Sequence, residues 1–191
     1  AVTPGHFVQL SKEGCGFICS AVHPIAAQRL GLPFASDALR ASAVAEREGD
    51  IPYDRKNHSS FSLWVNHRNT FTGITDRDRT LTVNAIAEQV KKVLNGGGVS
   101  FHEVFRTPGH MALLRAADGL LDQRKGQTEL SIALAQMAGI TPAITICEML
   151  DDESGYALSK EDARLYARKH RLVFVEGPEV LERWDQERSS R

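Results

Sequence analysis

The apolar positions of this chain fall into short runs and helical stripes that alternate, separated by polar turns. Gly16-Phe-Ile-Cys-Ser-Ala-Val22 is a short apolar run opened by glycine and predicts a buried strand. Pro24 fits the first turn of a short helix through Leu30, stopped by Gly31 and Pro33. Residues 38–60 are polar, contain Pro52 and show little periodicity, so they read as an irregular excursion. In Phe61-Ser-Leu-Trp-Val-Asn66 the residues Phe61, Leu63 and Val65 share one face, the pattern of a half-buried strand. Beyond Gly73–Asp78, the residues Leu81, Val83, Ile86, Val90 and Val93 form one helical stripe that ends at Asn95 and three glycines.

The second half repeats the alternation. Met111–Ala117 predicts a strand, and Thr128 opens a helix with a buried stripe of Leu130, Ile132, Leu134 and Met137, closed by Gly139. Ala143–Leu150 reads as a central strand. Ser159-x-x-Asp162 is a capping box leading a helix to His170, Arg171–Val175 reads as the next strand, and a last helix starts near Gly177-Pro178. No repeat or linker divides the chain. The pattern predicts an α/β (α+β) single-domain layered fold, a mixed β-sheet flanked by helices.

Composition narrows the partners. The 191 residues carry 23 basic and 24 acidic side chains for a net charge of −1, so no net field draws the chain to nucleic acid or an anionic membrane. No window approaches the apolar length of a bilayer span. The three cysteines are an odd number, and Cys15-x-x-x-Cys19 lacks the spacing of a zinc ribbon. Reduced thiols and a cytoplasmic location are the expectation.

Four places could carry chemistry. Arg124-Lys125-Gly126-Gln127-Thr128 directly precedes a helix, where unpaired N–H groups and the dipole favour an anion; the plainer alternative is a cap with two solvated cations. It is not a Walker A loop, whose glycine-rich lead and Gly-Lys-Ser/Thr order are missing. Glu148 interrupts an apolar run, a costly place for a carboxylate unless it is paired or moves protons; alternatively it ends the strand in solvent beside Asp151-Asp152-Glu153. His110 follows Pro108-Gly109, a turn that holds an imidazole at a loop edge or leaves it solvated. Cys19 lies mid-strand, as a small buried hydrophobe does. Asp76 and Asp78 suit a helix start, and Glu46-Arg-Glu-Gly-Asp50, although three carboxylates around a glycine can grip Mg²⁺, reads as a solvated loop.

Thr72-Gly-Ile-Thr-Asp-Arg-Asp-Arg79, Arg106-Thr-Pro-Gly-His110, Arg124-Lys-Gly-Gln-Thr-Glu129 and Ile146-Cys-Glu148 occur in this order. Together they resemble the 3,4-dihydroxy-2-butanone 4-phosphate synthases of riboflavin biosynthesis. Gly16–Cys19, Asp50–Asp54 and Asn66–Phe71 resemble the archaeal, single-function branch. The resemblance runs from about Val2 to Trp184. It implies a lyase that converts D-ribulose 5-phosphate to 3,4-dihydroxy-2-butanone 4-phosphate and formate, needs Mg²⁺ or Mn²⁺, and works as a homodimer with active sites near the subunit interface. It places the substrate and phosphate loop on Arg124, Lys125, Gly126, Gln127 and Thr128, the essential histidine and glutamate on His110 and Glu148, and a substrate-proximal cysteine on Cys19. The family's metal-binding histidine falls on Gln127, a neutral amide that can coordinate Mg²⁺ but cannot act as a base. The family also has a leading acidic loop of Arg-Glu-Gly-Glu type, so residues 1–191 are expected to form one synthase-like domain without that segment. Gln127 and the missing loop carry the alternative, an impaired relative that binds sugar phosphates or serves as a partner subunit.

Overall fold

The computed structural model describes residues 1–43, 57, 59–98 and 100–189. The Glu46–Asp50 stretch lies outside them. The four strands of the described residues form one mixed sheet in the order β2-β3-β1-β4. Strand β1 (Cys19–Val22) runs parallel to β3 (Phe105–Arg115), with Cys19 opposite Ala112, and antiparallel to β4 (Ala143–Ile146), with Cys19 opposite Ile146. Strand β2 (Phe61–His67) is antiparallel to β3 on the outer side.

Strand alternation divides the side chains between two faces. Val22, Val65, Met111 and Leu113 enter the main core with Phe7 of α1 (Pro4–Gln9), Ala26 and Ala27 of α2 (Pro24–Arg29), and Val83, Ile86, Val90 and Val93 of α4 (Asp76–Leu94). Phe105 and Phe101 of α5 (Phe101–Val104) close one end of this core. The opposite face is covered unevenly. Ile132 of α6 (Gln127–Met137) packs on Ala21, Ala116 and Ile144, backed by Val180 and Trp184 of α8 (Gly177–Ser189). Cys19, Ala112 and Leu114, with Phe61 and Ile146 beside them, form a separate apolar patch next to α6. That patch becomes the floor of the candidate site.

Several sequence expectations need correction. Leu81 is exposed, and Thr80 and Thr82 are buried in its place. Their hydroxyls are satisfied locally: Thr82 donates to the Asp78 carbonyl and accepts from the His67 amide, each at 3.0 Å, so a threonine packs without an orphaned polar atom. Helix α6 begins at Gln127, with Gly126 as its cap, rather than at Thr128; its buried side is Thr128, Glu129, Ile132, Ala133 and Ala135, while Leu134 is exposed. Small residues there let the helix approach sheet and α8 together. The Ala143–Leu150 run is an edge strand of four residues, and the chain beyond it makes only isolated bridges, Cys15 to Met149 and Leu150 to Ala157. Arg171–Val175 is no strand. Arg171 adopts a left-handed conformation that ends α7 (Lys160–His170), the Leu172 amide closes back on the Ala167 carbonyl, and Phe174 packs under Arg164 instead of joining the sheet. Within 38–60, the start belongs to a short helix α3 (Ala35–Ala41).

Candidate active site

The loop that leads into α6 is held by a buried ion pair. Arg124 Nη1 donates to Glu129 Oε2 at 2.9 Å and also to Ser60 Oγ, while Glu129 Oε1 accepts from the Ala117 amide at 2.9 Å. Glu129 is fully buried, and both of its oxygens are engaged, as a buried polar group requires. Gly126 lies between the partners: a Cβ there would come within 2.8 Å of Arg124 Nη1 and 2.9 Å of Glu129 Oε2. Its cap position carries no side-chain hydrogen bond, so the first-turn N–H groups of α6 open toward a cleft.

The cleft has a volume of about 480 Å³. Its floor is the apolar patch of Cys19, Phe61, Leu114 and Ile146; Arg124 to Thr128 and Glu148 line the rest. Seven of the eight candidate residues therefore converge on the cleft, Glu148 among them. The position of Glu148 differs from the expectation. It is exposed and lies two residues past β4, so it does not interrupt a strand. What orients it is the turn after the π-helical segment Leu10–Gly14: the Phe17 amide donates to Glu148 Oε2 at 2.8 Å. Gly16 permits that approach, since a Cβ on it would meet the Glu148 carbonyl oxygen at 2.5 Å.

Cys19 is buried, and burial first, then the nearby Glu148 carboxylate and Cys147, push its thiol up to about 12. A neutral thiol is no nucleophile. It can only shape the floor. At neutral pH a maleimide should label exposed Cys15 well before Cys19; equal labelling rates in mass spectrometry would contradict the buried, protonated assignment. All three cysteines are free.

His110 is the residue that does not join. It is exposed and does not line the cleft. Residues 107–110 bow out of β3 between the pairs Asn66–Arg106 and Val65–Met111 and fold against β2, with Gly109 so close that a Cβ would sit 2.1 Å from the Val65 carbonyl carbon. The four motif blocks thus form two groups: Arg124–Glu129 and Ile146–Glu148 at the cleft, and Thr72–Arg79 and Arg106–His110 around the buried Asn66 side chain. Sequence reasoning assigned no role to Glu129, Ser60 or Asn66. The signal for Glu129 was present, a carboxylate in the first helical turn five residues after Arg124; Ser60 and Asn66 are visible only once strand register is known. Among the described residues no group of three or more His, Cys, Asp and Glu side chains converges as a metal cage.

The mixed sheet flanked by helices, with a cleft at the α6 terminus, defines an α/β protein. The family model for 3,4-dihydroxy-2-butanone 4-phosphate synthase matches residues 1–183, and the chain belongs to that family. A protein of that name from Methanosarcina acetivorans is 55% identical over 190 residues, which cover 95% of this chain and 76% of the relative. The Archaeoglobus fulgidus protein is 54% identical over 180 residues, 90% of this chain and 74% of that one. The solved Candida albicans synthase superposes with a TM-score of 0.71 at 25% identity, covering 95% of this chain and 78% of that structure. A synthase solved in complex with two magnesium ions shares the fold, with a TM-score of 0.75 at 22% identity over 97% of this chain and 81% of its own.

Proposed function

We propose that this chain is an active synthase that converts D-ribulose 5-phosphate to 3,4-dihydroxy-2-butanone 4-phosphate and formate. The observation that carries the reading is the cleft, which brings an uncapped helix N-terminus and the exposed Lys125 together with the Glu148 carboxylate on an apolar floor. The phosphate docks on the α6 N–H groups and Lys125, where dipole and charge act together. Arg124 shapes this wall through Glu129 and Ser60. Glu148, held by the Phe17 amide, takes and returns protons as the sugar enolises and rearranges. The atoms balance: the product keeps the phosphate and four carbons, and the excised carbon leaves as formate. The names borne by the archaeal relatives favour this over an impaired relative.

The donor set suits Mg²⁺ that arrives with substrate. Gln127 and Glu148 offer oxygens at the cleft, and Mg²⁺ characteristically takes one or two protein ligands, several waters and substrate oxygens. When bound, the ion polarises the sugar's carbonyl and hydroxyl oxygens. His110 completes the acid–base set from a second copy: it lies away from the cleft of its own chain, as a homodimer with active sites near the subunit interface requires.

The test is formate release from ribulose 5-phosphate with Mg²⁺, paired with light scattering at micromolar concentration. Formate equal to the substrate consumed and a dimeric mass are expected. No formate at any Mg²⁺ concentration would overturn the activity, and a monomeric mass the placement of His110.

A further inference from the structure

The side chain of Asn66 is held by backbone groups that fix which end of its carboxamide is which. Oδ1 accepts from the His110 amide at 2.8 Å, and Nδ2 donates to the Thr72 carbonyl at 3.4 Å. A backbone N–H can only donate and a backbone C=O only accept, so a flipped amide would lose both bonds. The residue is buried, and Gly73 closes it in: at φ +93° a Cβ there would lie 2.1 Å from Nδ2. With Nδ2 fixed, its second hydrogen faces His110 Nδ1 at 3.2 Å. Nδ1 is 3.2 Å from this donor and 3.3 Å from Oδ1, which already accepts from the His110 amide, so the shorter contact favours Nδ1 as the acceptor in the uncharged ring, with the proton on Nε2.

We propose that Asn66 is the positioning residue of His110, keeping the uncharged imidazole in the Nε2–H tautomer with its donor turned outward. This rests on the acid–base reading of His110 given above. The carboxamide also serves the charged ring. Oδ1 is 3.3 Å from Nδ1, within reach of the proton that Nδ1 gains. The ring can thus take up and release a proton without losing its anchor, whereas a carboxylate, which only accepts, would hold the proton on Nδ1. The charged groups beside this cluster are turned to the backbone: Asp78 accepts from the Gly73 and Phe71 amides, and Arg106 donates to the Thr70 carbonyl.

Two-bond ¹⁵N–¹H correlation spectra of the full chain, recorded well above the imidazole titration range, read the tautomer directly. The expected result is a dominant Nε2–H ring for His110 and a shift toward Nδ1–H in Asn66→Asp. Formate turnover in that variant should fall by at least about 10-fold, since a misplaced proton disables an acid–base group, with KM little changed. A predominantly Nδ1–H ring in the unmutated protein overturns the assignment and needs no variant. So does an unchanged tautomer in a folded Asn66→Asp; if that variant does not fold, Asn66→Ser must show a weakened Nε2–H preference or the assignment is lost. Full turnover in His110→Asn would sink the acid–base reading instead, while the spectrum of the unmutated protein would still decide the role of Asn66.

Discussion

Glu129→Ala should destabilise the fold by about 3–5 kcal/mol, the range for stripping one partner from a buried ion pair. The carboxylate has no solvent exposure, its Arg124 partner is 11% exposed, and their contact is 2.9 Å. The alanine would remove the 2.9 Å contact from Arg124 and leave the buried Ala117 amide without its acceptor. For a chain of this size each kcal/mol moves the midpoint by roughly 2–4 °C, so thermal unfolding should show a drop of roughly 6–20 °C. Glu129→Gln should fall less, because its amide oxygen can still accept from Ala117. The pair of Arg188 with Asp122 is the internal control. Both of its side chains are more than half exposed, and such pairs are worth about 0–1 kcal/mol. If Glu129→Ala melts within a degree of the unmutated protein, the ion pair is not what shapes the α6 terminus.

Why the sequence revealed some of this and hid the rest follows from the kind of signal each residue gives. The β1 run, the α4 stripe and the Ser159 cap are local patterns, and local patterns survive into the structure. Leu81 and Leu134 were misplaced because periodicity ranks residues by hydrophobicity, while the packing selected threonines with satisfied hydroxyls and alanines that allow close approach. The Arg171–Val175 run has the composition of a strand; what it lacks is a partner, and partnership is a tertiary fact. The same division applies to the site. Arg124 to Thr128 are contiguous and precede a helix, so their chemistry is legible. That Ser60 meets Arg124, or that Phe17 holds Glu148, depends on residues 64 and 131 positions apart.

His110 shows the limit most clearly. Four motif blocks in order suggest one site, yet the fold sorts them into two groups joined through the sheet, with Asn66 at the centre of one and the Cys19 floor at the centre of the other. Sequence order carries no information on whether two such groups meet within a chain or across a subunit boundary. Phe17 and Trp64, both partly in solvent and both packed on the Phe61 ring, add exposed apolar area near the cleft.

Glu148→Gln should separate chemistry from folding. The side chain is exposed and accepts from the Phe17 amide at 2.8 Å, a bond that a glutamine oxygen can accept equally. The melting midpoint should therefore stay close to that of the unmutated protein. Formate release should fall by at least about 10²-fold, the lower end for a positioned acid or base, because an amide cannot take a proton at neutral pH. Substrate phosphate affinity should change little, since the proposed phosphate site is the α6 terminus, whose N–H groups the substitution leaves in place. Cys19 supplies an independent check that the charge has gone. Its thiol sits at about 12, with burial the larger cause and the Glu148 charge the next, so removing that charge should bring the thiol down without making it reactive at neutral pH. The sign follows: a raised folded value means stability is present below the ordinary thiol value of 9.0 and is lost as pH climbs toward 12, and Glu148→Gln should make that alkaline loss shallower. If the variant shows the Cys19 change but retains near-full turnover, Glu148 is a neighbour of the reaction and not its proton carrier.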